Sequence, residues 1–197
     1  MISSQANPEF VILCGSMFSS KTTSMLLRLE DCFRQGKKIQ IFKPQRDDRY
    51  TKDNTTIITH LGWQKESIAI KDGLDILKYL EENDLPDVIA VDEAFMVPGV
   101  AKVLIWLFRH GTSIIVSSIE LSYAGKPFKE ITAMFPWATE VHKMSAVCAV
   151  CKRREAHYTY RKTDDDSDIV VGGAESYEPR CWVCHPTINE KPGEYHE

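Results

Sequence analysis

The chain lacks any apolar run approaching the roughly 20 residues that a membrane-spanning helix needs. It lacks a basic N-terminal segment followed by an apolar one: Met1, Ile2, Ser3, Ser4, Gln5, Ala6, Asn7 and Pro8 supply neither. It lacks a large excess of one charge. Its 24 Lys and Arg face 28 Asp and Glu, a formal net charge of -4. That balance speaks against a duplex nucleic-acid binder, which needs a basic face; Lys152, Arg153 and Arg154 form only a local basic patch. No internal repeat or low-complexity tract is present. These absences lead to the expectation of a cytoplasmic protein with neither membrane nor nucleic acid among its partners.

Cysteine is scarce, with six in 197 residues, and in a reducing compartment thiols stay free. The length suits one full domain plus a small appendage. At 43% hydrophobic and 26% charged residues, the core should fold without disulfides. Four of the cysteines form two pairs, Cys148 with Cys151 and Cys181 with Cys184, separated by 29 residues. Paired thiolates at this spacing form a closed, tetrahedral, structural Zn2+ site. His185 is the competing donor beside Cys184, and the four thiolates are preferred to it. Cys14, in an apolar strand, and Cys32, on a helical stripe, read as core thiols.

Residues 10–14 (Phe10, Val11, Ile12, Leu13, Cys14) are a continuous apolar run, as in a strand covered on both faces. Met25, Leu26, Leu29, Cys32 and Phe33 then recur at helical spacing, and Gly36 supplies a stop. Ile39, Gln40, Ile41 and Phe42 form the next strand. Strand, helix, strand is the unit of a parallel sheet. Residues 45–60 are polar and aperiodic. Asp72 caps a helix carrying Ile76, Leu77 and Leu80. A strand over 87–91, a helix over 100–110, a strand over 113–117, a short helix over 129–135 and a strand over 140–143 follow. From Met144 the texture turns polar. The expected fold class is α/β: a P-loop NTPase-like parallel sheet with flanking helices over 1–143, then a small zinc-ribbon-like domain over 144–197 with a loosely ordered tail.

Between the first strand and its helix runs Gly15-Ser16-Met17-Phe18-Ser19-Ser20-Lys21-Thr22. Unpaired N–H groups and the helix dipole favour phosphate there. Lys21 is placed to reach the β- and γ-phosphates and Thr22 to ligate Mg2+. Ser20 stands where the generic loop has its second glycine; serine costs little at negative φ and more at positive φ. Asp92 and Glu93 end a buried strand, where the first carboxylate supports Mg2+ and the second can take a proton from a hydroxyl nucleophile. A chance Lys-Thr pair or a surface Asp-Glu pair would each be unremarkable alone. Together with the cysteines they indicate a Mg-nucleotide enzyme carrying a zinc module.

Several segments in order resemble the type II thymidine kinase family: residues 15–22, Lys43-Pro44 with Asp47-Asp48-Arg49-Tyr50, Thr59-His60, Asp92-Glu93-Ala94, Gly125-Lys126-Pro127-Phe128, Ala146-Val147-Cys148, and Gly172-Gly173-Ala174 with Tyr177. The resemblance spans residues 9–185. It implies transfer of the γ-phosphoryl group of ATP, with Mg2+, to the 5′-hydroxyl of thymidine by a homotetramer. It makes Glu93 the general base and assigns Lys21, Thr22, Arg49 and Asp92 to phosphates and magnesium. A lasso in the zinc domain would grip the base at Val170, Val171, Gly172 and Tyr177, with Tyr123, Phe128 and Thr159 nearby. Ser16 replaces the family's proline, Ser20 its glycine, Phe95-Met96 its Gln-Phe, and Ile119-Glu120 its Leu-Asp. A deoxynucleoside kinase of altered base preference and a non-catalytic nucleotide-binding relative are the alternative readings.

Overall fold

The computed structural model describes residues 7–46, 56–58, 64–153, 155–163 and 172–189. The uninterrupted apolar runs become strands because both of their faces are covered. In β1 (Phe10–Gly15), Phe10, Ile12 and Cys14 point into one core cluster while Val11 and Leu13 point into another. Alternation of side chains along a strand puts successive residues on opposite faces, so a sheet with two covered faces needs apolar residues at every position. β6 (Val88–Asp92) and β7 (Ser113–Ser118) divide in the same way.

One face is covered by α1 (Lys21–Arg34) through Met25, Leu26 and Leu29. The expected stripe fades toward its end: Cys32 is only partly buried and Phe33 is exposed, with Lys65 Nζ 5.4 Å from its ring centroid. α2 (Leu74–Glu82) and α3 (Val100–Arg109) contribute Ile76, Leu104 and Leu107 to the opposite cluster. α4 (Lys129–Met134) adds Ile131 and Met134 there and gives way to a 3-10 turn over Phe135–Trp137. The cap position of α2 is Gly73, which makes no side-chain cap bond; Asp72, one residue earlier and expected to cap, instead accepts the Leu74 amide at 2.8 Å.

Six parallel strands form the sheet, in the order β5 (Ile68–Ile70), β2 (Ile39–Pro44), β6, β7, β1, β8 (Glu140–Met144). β1 and β2 are joined by α1 yet are not neighbours, since β6 and β7 lie between them. The edge strand β5 has no counterpart in the sequence reading, because three residues are too few to show a period. A small antiparallel pair, β3 (Thr56–Ile58) with β4 (Gln64–Glu66), forms its own ladder and packs Ile57 into the α1-side core. Parallelism brings the C-terminal ends of β1, β6 and β7 to one edge, where open α/β sheets bind ligands.

Beyond β8 the chain forms two short antiparallel pairs, β9 (Ala146–Val147) with β10 (Glu155–Ala156) and β11 (Tyr158–Arg161) with β12 (Tyr177–Arg180). Their core is small: Cys148, Ala156 and Cys181, flanked by Ala146, Cys151 and Cys184. A cluster of that size does not offset the entropy of ordering its segment and calls for a further constraint. No described helix is long and apolar enough to cross a membrane.

Candidate active site

The phosphate loop leaves β1 at Gly15, whose position tolerates no side chain: a Cβ there would lie 2.1 Å from the Met144 carbonyl oxygen. The Gly15 amide donates to Glu120 Oε2 at 2.7 Å, and Glu120 Oε1 pairs with Lys143 Nζ at 2.6 Å. Burial opposes the charge on Lys143, but the hydrogen bond and charge of Glu120 outweigh it and raise its pKa. Glu120 is thus a buried brace for the first loop residue. Its place just past a predicted strand was visible in the sequence; its contact with Gly15, 105 positions away, was not.

Phe18 and Ser20 both adopt left-handed backbone, with φ of 65° and 63°. This answers the question posed by serine at the glycine position: φ is positive, and the residue is strained by roughly 1–2 kcal/mol. Ser20 is the residue before α1 but makes no side-chain cap bond. Lys21, buried, donates to the Ser16 carbonyl at 2.6 Å. The Met17 amide is taken by Thr159 Oγ1 at 3.0 Å, and Ser16 Oγ donates to the Ala156 carbonyl at 2.7 Å. The loop is therefore held by the C-terminal segment as well as by the sheet.

Thr22 Oγ1 lies 3.2 Å from each carboxylate oxygen of Asp92. The two hard oxygen donors expected around Mg2+ thus converge across the sheet edge, a set that fits the ion. Glu93, next in sequence, has φ of 47° and ψ of 43°, an uncommon conformation for a non-glycine residue, and leads into a 3-10 turn over Ala94–Met96. The Phe95 amide donates to Ser118 Oγ at 3.1 Å, tying that turn to the end of β7.

Beside this turn is a cavity of about 340 Å3 whose lining includes Arg46, Phe95, Met96, Ser122, Lys126 and Phe128. The Phe95 and Phe128 rings pack with centroids 4.6 Å apart, so the aromatic at 95 is engaged with one of the expected base-binding residues. Tyr123, also expected near the base, lies under the Arg161 guanidinium, 3.6 Å from its ring centroid. Arg161 pairs with Tyr177 across the β11–β12 ladder. Tyr123, Thr159 and Tyr177 are thus linked through β11, while Phe128 faces the cavity. Buried Arg161 carried no signal in the sequence that set it apart from a solvated charge. Gly172 precedes a turn in which the Gly173 carbonyl accepts the Ser176 and Tyr177 amides. Arg49, Val170 and Val171 lie outside the described residues.

The sulfurs of Cys148, Cys151, Cys181 and Cys184 all lie within 4.8 Å of one another, and Cys151 and Cys181 are 3.9 Å apart. A tetrahedral Zn2+ with Zn–S near 2.3 Å sets sulfurs about 3.8 Å apart, so the donor set fits. Burial works against ionisation of Cys148, yet N–H groups of Cys151, Cys181 and Val150 bring its thiol down to about 6. Burial and the neighbouring thiols push Cys184 up to about 12. Thiolates this close need a cation among them. His185 is turned away from the cluster, its Nε2 3.2 Å from the Thr159 carbonyl.

A family model described as thymidine kinase matches residues 9–185. The chain belongs to the thymidine kinase family. A protein named thymidine kinase from Pseudothermotoga lettingae is 32% identical over 185 residues, which cover 93% of this chain and 97% of that protein. The thymidine kinase match takes in the phosphate loop, the Asp92–Glu93 strand end and both cysteine pairs, and supports a nucleotide-binding phosphotransferase.

Proposed function

We propose that the chain transfers the γ-phosphoryl group of Mg·ATP to the 5′-hydroxyl of thymidine. The observation that carries this reading is the convergence of Thr22 with Asp92 at the mouth of the phosphate loop, one residue from Glu93. Phosphoryl transfer depends on positioning and charge neutralisation more than on covalent catalysis. In this reading residues 15–22 cradle the phosphates, with Lys21 swinging from the Ser16 carbonyl to the γ-phosphate. Arg49 assists there. Thr22 and Asp92 hold Mg2+, which neutralises charge on the phosphates. Glu93 takes the proton from the nucleoside hydroxyl.

The base is bound between the 125–128 turn and the C-terminal segment, with Tyr123, Phe128, Thr159, Val170, Val171, Gly172 and Tyr177 as its contacts. The four cysteines hold Zn2+ and staple that segment, which forms a domain over 144–197 beside the α/β domain over 1–143. The protein works in the cytoplasm as a homotetramer in deoxynucleotide salvage. A label-transfer assay from γ-labelled ATP across four deoxynucleosides with Mg2+ tests the reading. Thymidine should be the preferred acceptor. Preferred phosphorylation of deoxycytidine would instead favour an altered base preference, for which the Phe95–Phe128 packing provides a reason; no transfer to any nucleoside would overturn the kinase reading.

A further inference from the structure

The phosphate loop meets the C-terminal segment through two hydrogen bonds that neither phosphate binding nor metal binding requires. Ser16 Oγ donates to the Ala156 carbonyl at 2.7 Å, and Thr159 Oγ1 accepts the Met17 amide at 3.0 Å. Both side chains are buried, the residues being 2% and 5% exposed. Each bond has a firm anchor behind it. Ala156 packs with Cys148 and Cys181 in the cysteine cluster. The Thr159 carbonyl lies 3.2 Å from Nε2 of His185, the residue after Cys184. On the loop side, the Ser16 carbonyl accepts both Lys21 Nζ at 2.6 Å and Ser19 Oγ at 2.8 Å. Any shift of Ser16 therefore moves the group on which Lys21 rests. Proline, which the family pattern places at this position, has no hydroxyl and could not make the first bond.

We propose that Ser16 and Thr159 are positioning residues that latch the phosphate loop to the C-terminal segment, so that a nucleoside held by that segment strengthens Mg·ATP binding at the loop. The latch acts through Lys21 and the loop backbone and touches no reacting atom. A loop held in place loses less freedom when phosphate arrives, and a nucleoside that orders β11 and β12 tightens the same hold. The coupling rests on the thymidine kinase reading; the latch itself does not.

The test uses full-length, metal-loaded protein carrying Ser16→Ala, Thr159→Val, Thr159→Ser, or Ser16→Ala with Thr159→Val. Exchange protection of the Met17 amide, read by NMR without ligand, should fall roughly 3-fold to 10-fold in Thr159→Val and be retained in Thr159→Ser. Calorimetry then gives the dissociation constant of Mg·AMP-PNP with and without saturating thymidine. Thymidine should tighten the analogue by about 5-fold or more in the natural protein, and that ratio should fall toward one in the double variant. Ser16→Ala should raise KM for ATP about 3-fold to 10-fold with kcat within about 2-fold. Unchanged Met17 protection in Thr159→Val, or an unchanged thymidine effect in a double variant that keeps its metal, would overturn the proposal. If the double variant does not fold, Ser16→Ala alone should lower the ratio part-way, and an unchanged ratio there would overturn the proposal. A natural protein that binds the analogue but not thymidine would overturn the functional reading instead, and Met17 exchange would still decide the latch.

Discussion

Thr22 Oγ1 lies 3.2 Å from both oxygens of the Asp92 carboxylate, although 70 positions separate the two residues. The contact exists because β1 and β6 run parallel and end at one edge of the sheet, with β7 between them. If these residues hold Mg2+, Asp92→Asn should reduce activity by about 10–100-fold and raise the Mg2+ concentration needed for half-maximal rate. A magnesium titration of both proteins measures this; an unaltered titration would exclude the role.

Glu93 is held in left-handed backbone, φ 47° and ψ 43°. Strain of this kind, of order 1–3 kcal/mol, concentrates at functional sites. Glu93→Gln keeps the shape but cannot accept the proton. Turnover should drop roughly 10²–10⁴-fold with KM for ATP nearly unchanged. Steady-state kinetics in both substrates reads the split, and near-normal turnover would remove Glu93 from the role of base.

Ser20 carries the same strain at φ 63° with its side chain exposed. Ser20→Gly relieves the Cβ contact but gains chain entropy in the unfolded state. The expected net gain is about 0.5–1 kcal/mol, a rise in Tm of roughly 1–4 °C, alongside tighter nucleotide binding. A lower Tm together with weaker binding would show that the serine side chain contributes contacts of its own.

Cys151→Ser removes one sulfur from a cluster with almost no apolar core beneath it. Metal content should fall, and amide exchange should rise over β9 to β12 while β1, β6 and β7 stay protected. Full metal occupancy in the variant, measured by elemental analysis, would refute ligation by Cys151.

Alkaline stability has a definite sign. Burial, reinforced by Glu120, pushes the Cys14 thiol up to about 11 from 9.0. A folded-state pKa above the unfolded value means that stability is complete below pH 9 and is lost as pH climbs toward 11. Lys143 is raised as well, despite its partial burial, so its contribution fades in the same direction from about pH 10.5. Denaturant midpoints should therefore fall between pH 9 and pH 11, and Cys14→Ala should flatten that slope. An equal slope in the variant would exclude Cys14 as its source.

Five of the six sheet strands, the phosphate loop, the acidic strand end and the paired cysteines were legible because each is written in residues adjacent along the chain. Short apolar runs closed by turn residues read as strands covered on both faces, while the longer apolar run inside α3 is helical; Cys-x-x-Cys sets its own bite on a metal. Strand order was not legible, nor were the short edge strand β5, the sign of φ at Ser20, or the exposure of Phe33 at the end of an otherwise buried stripe. These depend on which surfaces remain to be covered once the helices have packed. The brace of Glu120 on Gly15 and the latch of Ser16 on Ala156 join residues 105 and 140 positions apart. Sequence alone determined which chemical groups this protein carries; tertiary structure decided which of them meet, because hydrogen bonds and ion pairs act over about 3 Å and only the packed sheet brings such distant parts of the chain that close.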